Sequence, residues 1–362
     1  MSDQMHPVIA VDVGGTNMRG ARVAPQGRIL ARTRVPTPVA GGPDAILETL
    51  VRLCRTLAGH AKVAAVGLGV PGAVSQRRGV VFSSPNIPCW RDEPIGPRLA
   101  RRLGLPVLVD NDANLHALGE HWLGAGRDVP NLVLATLGTG IGGGIVLRGR
   151  LWHGDAGRAG ELGHTVVDPD GPRCGCGANG CVEAYASATG IVRAWRYENR
   201  VSPSGTGART RAVLRDTPET IAARARRGDP RALAVFAEAG RALGVATASW
   251  LQVLDVHTVV FGGGVAGALD LLEPLVRLEL DARLFGLESR RIRILHAALG
   301  DDAGILGAAR LALGKGGRAP GLPRASEASR GVAGRKTRNY GPGGTASAVP
   351  ASVDPPSALP PR

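Results

Sequence analysis

The stretch ELGHTVVDPDGPRCGCGANGCVE, residues 161–183, holds one histidine, three cysteines and two glutamates within 23 positions. One imidazole and three thiolates match a closed tetrahedral zinc site in both the type and the number of ligands. Two acids, Glu161 and Glu183, lie on either side, so a bound metal would hold two carboxylates in place. The candidate ligands are His164, Cys174, Cys176 and Cys181.

Two other interpretations of this stretch are weaker than a structural zinc site. A loop with incidental cysteines would not place three of the chain's five cysteines within eight residues, downstream of a histidine. A DNA-binding zinc finger has a different ligand spacing. The pattern therefore predicts a structural Zn²⁺ ion inside a larger domain.

The bulk composition indicates a globular protein of two domains. A chain of 362 residues is long enough for two domains of ordinary size. The net charge of +14 would suit a nucleic-acid partner, but residues 315–362 hold eight Lys and Arg against two Asp and Glu. The remaining cations are dispersed and aromatic residues make up only 3% of the chain. We therefore expect no specific nucleic-acid binding.

Several features predict a cytoplasmic protein with a disordered C-terminal tail. No signal peptide is expected, because Met1–Pro7 is polar. Residues 129–147 are uncharged, but their five glycines are unfavourable for a membrane helix. Cysteines clustered for a metal fit a reducing compartment. The Gly, Pro, Ser and Ala content rises beyond Leu313, so residues 315–362 are predicted to be a disordered basic tail.

The order of apolar runs and turns predicts an α/β protein in which one plan occurs twice. In the first half, a buried strand at Pro7–Val13 is followed by the turn GGTN and by two further strands within 18–35. In the second half, a strand at Leu132–Leu137 is followed by the turn GTGIGGG at 138–144, and another strand begins at Ile145. The two halves therefore share an architecture without sharing a sequence.

Four glycine-rich turns follow predicted strands, and together they indicate a nucleotide site. Backbone N–H groups in such turns can surround phosphate oxygens, and glycine lets the chain approach closely. None fits the Walker or the dinucleotide pattern, and any single one could be a tight hairpin. Asp12, directly before the first turn, is a candidate Mg²⁺ ligand. The turns comprise Gly14, Gly15, Thr16 and Asn17; Gly138, Thr139 and Gly140; Gly262, Gly263 and Gly264; and residues 300–304.

Asp112 is the candidate for the chemical step. A predicted strand at Pro106–Val109 delivers Asp110, Asn111 and Asp112 at its carboxyl end, where ligands of open α/β sheets bind. The predicted helix Ala113–Trp122 places Asp112 near a helix N-terminus, whose dipole favours the ionised carboxylate. Phosphoryl transfer needs a base mainly to orient the acceptor hydroxyl, so a weakly basic carboxylate is sufficient. The alternative is that Asn111 or Asp112 only caps the helix.

Six segments together resemble the ROK family of sugar kinases and repressors. They are DVGGTN at 12–17, NDAN at 111–114, GTGIGGGIV at 138–146, GELGH at 160–164, CGCGANGCVE at 174–183 and GGGV at 262–265. The resemblance implies the α/β, two-domain, actin-like (ribonuclease H-related) ATPase fold with an interdomain cleft. It divides the chain into a small domain at 1–117 and a large domain at 118–301 with the zinc-binding loop 164–181. A helix near 302–314 would pack back onto the small domain.

The resemblance also implies a role for each candidate residue. Asp112 would be the base that activates the 6-hydroxyl of a sugar, with ATP and Mg²⁺ supplying the phosphoryl group. The turns at 12–17 and 138–140 would hold the ATP phosphates, while 262–264 and 300–304 would flank the adenosine. His164 would be both a zinc ligand and a sugar ligand. The residues implied in binding the sugar's other hydroxyls are Asn86, Asn111, Glu161, His164 and Glu183.

The first hypothesis for the function is an ATP-dependent hexokinase that converts glucose to glucose 6-phosphate. The rivals are family kinases for fructose, mannose, N-acetylglucosamine or N-acetylmannosamine, and glucokinases that use polyphosphate. The loop Asn86-Ile-Pro-Cys89-Trp90 resembles the NxPGW of related glucokinases, but Cys89 replaces the glycine. The choice of hexose therefore stays open.

A sugar-responsive repressor of the same family is the alternative from another class. Such repressors carry an N-terminal winged helix-turn-helix, and only 11 residues precede Asp12, so a kinase of carbohydrate metabolism and glycolysis is favoured. A catalytically silent sugar-binding protein would require a broken base or broken phosphate turns, and these are intact. The expected partners are a hexose, a nucleotide and further copies of the chain in a homodimer or homotetramer.

Overall fold

The computed structural model describes residues 6–200, 216–286 and 288–314, in which two five-stranded sheets form the framework. The first half of the chain contributes β1 (Val8–Val13), β2 (Asn17–Val23), β3 (Ile29–Pro36), β4 (Val66–Val70), β5 (Ala73–Ser75), β6 (Val80–Ser83), β7 (Arg91–Glu93) and β8 (Val107–Asn111). The second half contributes β9 (Leu132–Leu137), β10 (Ile141–Leu147), β11 (Arg150–Leu151), β12 (Thr258–Gly262) and β13 (Arg293–His296).

The two large sheets have the same topology. Their strand orders are β3-β2-β1-β4-β8 and β11-β10-β9-β12-β13. In each sheet, three strands form an antiparallel meander. A fourth strand pairs in parallel with the first strand of the meander, and a fifth pairs in parallel with the fourth. The central strands β1, β4 and β12 are buried along their whole length, as expected for strands covered on both faces. The architectural repeat predicted from the sequence is confirmed.

Helices cover both faces of these sheets. The helices are α1 (Gly42–Ala58), α2 (Ile95–Leu103), α3 (Asp112–Leu123), α4 (Glu183–Ala186), α5 (Ala188–Arg200), α6 (Pro218–Arg226), α7 (Pro230–Leu254), α8 (Leu269–Arg283) and α9 (Ala303–Leu313). Helix α1 buries an apolar stripe that includes Ile46 and Leu50 against the first sheet, and α7 packs on α8 beside the second. In the described part of the chain, no helix is both long and apolar enough to cross a membrane.

Helices α3 and α9 lie where the two sheets approach each other. Leu115 of α3 packs in one cluster with Val8 of β1 and Leu306 of α9, whereas Ala117 of α3 packs with Leu134 of β9. Helix α9 also contacts β4, so the last described helix returns to the first sheet. The boundaries 117/118 and 301/302 themselves stay predictions, and the predicted tail 315–362 lies outside the described residues.

The prediction of a turn across 138–144 is wrong in its second half. The turn covers only Gly138–Gly140, and β10 begins at Ile141, so the next three glycines lie inside a strand. A Cβ atom on Gly142 would lie 2.9 Å from Cβ of Ala113, and one on Gly144 would lie 2.5 Å from Cβ of Ala117. These glycines allow helix α3 to pack directly against β10, which is a packing role rather than a phosphate-binding one.

The substitution Gly144→Ala should test this packing role. We expect a loss of about 1–3 kcal/mol in the free energy of unfolding, because the new methyl group overpacks the contact with α3. Chemical denaturation would measure it. Gly267→Ala is the matched control, since no atom lies within 4 Å of the Cβ that it adds. Equal unfolding free energies for the two variants would contradict the assignment.

Candidate functional site

The candidate site is built around the junction of β8 and α3. Asn111 ends the strand and caps the helix, because its Oδ1 accepts hydrogen bonds from the backbone N–H groups of Ala113 (2.9 Å) and Asn114 (3.2 Å). Its Nδ2 donates to the carbonyl oxygen of Gly72 at 3.1 Å. The capping alternative thus applies to Asn111. Asp112 is the first residue of the helix and remains partly accessible at its N-terminus.

The environment of Asp112 makes it a stronger base than the sequence indicated. The pKa of Asp112 is raised to about 6, mainly because burial disfavours the charged carboxylate; the charge of His116 lowers the pKa and the charge of Asp12 raises it. We expected the helix dipole to keep this carboxylate weakly basic. Desolvation outweighs the dipole, which falls off quickly and cannot replace the water lost from the carboxylate.

Asp12 lies beside Asp112 and is held by an arginine that sequence reasoning missed. The Asp12 side chain is buried at the end of β1, and Nη2 of Arg19 lies 2.6 Å from its Oδ2. Nη1 of the same arginine lies 3.3 Å from Asp301. A Cβ on Gly304 would lie 3.4 Å from Asp12 Oδ2 and 3.2 Å from the His116 ring. The segment 300–304 therefore borders Asp12 directly.

The first glycine turn meets the loop that carries Asn86. A Cβ on Gly15 would lie only 2.7 Å from the backbone oxygen of Asn86, whose side chain is exposed. Cys89, which departs from the expected glycine, is half-buried and packs against the core of the first sheet. Trp90 beside it is fully buried. The additional side chain at position 89 is therefore accommodated by the core.

The four predicted metal ligands come together. The ligand atoms of His164, Cys174, Cys176 and Cys181 all lie within 4.8 Å of one another. Sγ of Cys176 and Sγ of Cys181 are 3.7 Å apart, and Sγ of Cys174 is 3.8 Å from Nδ1 of His164. The edges of a tetrahedron around zinc with bonds of roughly 2.3 Å are about 3.8 Å long. The donor set and its spacing therefore fit a tetrahedral Zn²⁺ ion.

The two glutamates that flank the metal ligands have different surroundings. Glu161 is exposed, and its Oε2 lies 3.9 Å from Nε2 of His164, the ring nitrogen that faces away from the cysteines. Glu183 accepts a hydrogen bond from the backbone N–H of Ile141 through Oε2 at 2.8 Å. Cys174 Sγ lies 3.5 Å from its other oxygen. Glu183 thus connects the metal cluster to the turn 138–140, a contact that the sequence did not reveal.

The second and third glycine turns are neighbours. Gly263 has φ +84° and packs against the backbone of Leu137, so a side chain there would be both strained and too close. The carbonyl oxygen of Thr139 accepts a hydrogen bond from Oγ1 of Thr189 at 2.8 Å. A cavity of about 640 Å³ adjoins this turn. Its lining, which sequence reasoning missed, includes Thr139, Thr189, Val192, Arg196, Asp216 and Pro218.

Comparisons with known proteins identify the family of the chain. The ROK family profile matches residues 8–315. A glucokinase of Streptomyces coelicolor is 38% identical over 312 residues, covering 84% of this chain and 96% of the relative. An N-acetylmannosamine kinase of Shigella flexneri is 34% identical over 311 residues, covering 85% and 99%. The solved structure of a ROK family glucokinase from Streptomyces griseus in complex with glucose and AMPPNP has a TM-score of 0.69 and 36% identity, covering 84% and 98%.

The chain belongs to the ROK family. The two-domain, actin-like α/β fold that the motifs implied is confirmed by the structural match. Within the family the protein is a phosphotransferase of the sugar-kinase class, as predicted.

Proposed function

We propose that this protein transfers the γ-phosphoryl group of ATP to the 6-hydroxyl of a hexose, with glucose as the first substrate. The observation that supports it most strongly is the proximity of Asp112 to Asp12, which the segment 300–304 borders. In addition, the first glycine turn contacts the loop of Asn86, which resembles the sugar loop of glucokinases. The glucokinase relatives support glucose as the acceptor.

In this proposal Asp112 is the general base. Its carboxylate accepts the proton of the 6-hydroxyl as the bond from this oxygen to the γ-phosphorus forms and the bond to the leaving ADP breaks. The pKa of about 6 keeps the carboxylate ionised at neutral pH while making it a useful proton acceptor. Nδ1 of His116 donates a hydrogen bond to the backbone oxygen of Asp112 at 2.9 Å, which fixes the first turn of α3. Asn86, Asn111, Glu161, His164 and Glu183 are proposed to bind the other sugar hydroxyls.

The phosphate side is proposed to lie between the turns at 12–17 and 138–140. The exposed residues Thr16 and Thr139 and the neighbouring backbone N–H groups can meet phosphate oxygens there. Asp12 would hold a Mg²⁺ ion there, because this ion commonly takes one or two carboxylates beside phosphate oxygens. The adenosine would extend past Gly263 into the cavity next to Thr139. Mg²⁺ would neutralise charge on the transferred group.

The metal cluster is proposed to hold zinc in a structural role. Four protein ligands leave no open position for a substrate, so the ion would position His164 and Glu161 rather than react. Because the three thiols must stay reduced to bind metal, we place the protein in the cytoplasm. We also propose that two or four copies of the chain associate.

One observation favours a second acceptor, N-acetylmannosamine. The kinase for that sugar from Shigella flexneri is matched over 99% of its own length. In addition, Cys89 departs from the glucokinase pattern in the sugar loop. A panel of hexoses and N-acetylated hexoses, each assayed with ATP and with polyphosphate, decides between the two. The highest kcat/KM for glucose with ATP would support the proposal, and a higher value for N-acetylmannosamine would replace it.

The pH dependence of the reaction should report the raised pKa of Asp112. We expect kcat/KM for the sugar to be level above about pH 6 and to fall about tenfold per pH unit below it, since the base must be ionised. The variant His116→Gln should shift this acidic limb of the pH profile to higher pH, because the His116 charge lowers the pKa of Asp112. A limb that stays at the same pH in the variant would belong to the nucleotide or to another group.

A further inference from the structure

Asp110 is a fully buried carboxylate that the proposed chemistry does not use. Its side chain is 0% exposed, although it directly precedes the residues of the site. His153 donates to its Oδ2 through Nε2 at 2.8 Å. Asn114 and Gln76 donate to its Oδ1 through their side-chain amides at 3.0 Å and 3.3 Å. One carboxylate is therefore bound by side chains from three separate segments.

Each of these three segments is close in the chain to a residue of the proposed sugar site. Gln76 follows β5, which forms a three-stranded sheet with β6 and β7, and the connection between β6 and β7 carries Asn86. Asn114 belongs to the first turn of α3, which begins with Asp112. His153 follows β11 and opens the loop 152–160 that ends directly before Glu161. The buried carboxylate of Asp110 thus connects the three segments that lead to the proposed sugar ligands.

The loop 152–160 is shaped to make this contact. The backbone N–H of Ala159 donates to the carbonyl oxygen of His153 at 3.0 Å, which closes the loop on itself. Gly157 has φ +76°, and a Cβ there would lie 2.9 Å from Oε1 of Gln76. The loop therefore packs against Gln76, which also donates to Asp110, and His153 attaches the loop to β8.

We propose that the His153–Asp110 pair positions the sugar-binding loop of the second half of the chain against the catalytic segment of the first half. His153 is a positioning residue in this scheme, because it acts through Asp110 and loop 152–160 rather than on the substrate. The inference rests on the proposed function, since it assigns a role in binding the same sugar. It predicts that the pair contributes to sugar affinity more than to the chemical step.

The chemistry of the pair supports this role. Among the described residues, the charged group that faces the His153 ring is Asp110, and the other two side chains on that carboxylate are neutral amides. Burial lowers the pKa of His153, but the hydrogen bond and the charge of Asp110 together raise it above its ordinary value. The charge-assisted contact is therefore complete at acidic and neutral pH and weakens as the pH rises through this raised pKa.

The variants His153→Ala and His153→Gln test the proposal. We expect His153→Ala to weaken glucose binding about tenfold or more, because it leaves Asp110 buried without its cationic partner, while kcat changes less than KM. Gln can donate from its amide in place of Nε2, so His153→Gln should recover most of the affinity. The wild-type dissociation constant for glucose should rise as the pH increases through the raised pKa of His153, whereas that of His153→Gln should stay level.

Titration calorimetry with glucose in the absence of nucleotide measures these constants. His121→Gln is the control, since His121 also lies partly buried and binds the carbonyl oxygen of Val129 away from the site. Wild-type affinity in His153→Ala would overturn the proposal. If that variant does not fold, a pH-independent wild-type affinity would overturn it instead. Failure of the wild type to bind glucose would refute the glucose assignment, and the same comparison would then use the hexose selected by the panel.

Discussion

The variant Asp112→Asn should lose phosphoryl transfer while it keeps its affinity for the sugar. The amide has the same shape but cannot take the hydroxyl proton, so kcat should fall by about 10²–10⁴-fold. Asn at this position preserves the first residue of α3, and the cap on Asn111 is untouched. A coupled assay of hexose 6-phosphate formation measures the loss, and calorimetry with glucose measures the retained binding.

Two outcomes would separate the base from a structural role. Near-wild-type turnover in Asp112→Asn would refute the mechanism, whereas loss of glucose binding together with turnover would assign Asp112 to positioning the sugar. Asp128→Asn is the matched control, because Asp128 is an exposed carboxylate in the loop after the same helix and pairs only loosely with Arg127 at 3.5 Å. We expect this control to keep wild-type kcat.

The variant Cys176→Ser should show the second large effect, a combined loss of zinc, stability and sugar affinity. Cys176 is the exposed cysteine of the cluster, so its replacement removes a ligand with little direct loss of core packing. Because the free energy of metal binding contributes to folding, the unfolding free energy should fall by at least several kcal/mol. Sugar affinity should fall about 10–100-fold, as Glu161 and His164 lose their fixed positions.

Elemental analysis decides whether the metal is the cause. We expect about one zinc per chain in the wild type and much less in Cys176→Ser. Cys54→Ala serves as the control, because Cys54 is buried in α1 on the first sheet and far from the cluster in the fold. That variant should keep its zinc and its glucose affinity even if its stability falls. Full sugar affinity in a zinc-free Cys176→Ser protein would show that the metal is dispensable.

The raised pKa of Asp112 depends on tertiary contacts that its neighbours in the sequence do not reveal. From the sequence, its place before a helix predicted a weakly basic carboxylate, because the dipole of a helix N-terminus is a local property. Desolvation by elements distant in sequence, together with the charge of Asp12, reverses the sign of the shift. The three glycines after Ile141 show the same limit. Their sequence is typical of a turn, but their contacts with α3 make them part of a strand.

The sequence by itself determined the features that depend on short-range patterns. The cluster of candidate metal ligands, the repeated strand order and the position of Asp112 where β8 meets α3 all follow from residue type and spacing, which dictate ligand chemistry and backbone conformation. Arg19 on Asp12, Glu183 on the turn 138–140 and His153 on Asp110 were decided only by the tertiary structure. These contacts join segments whose separation along the chain carries no signal, because a buried charge takes its partner from whichever element packing brings to it.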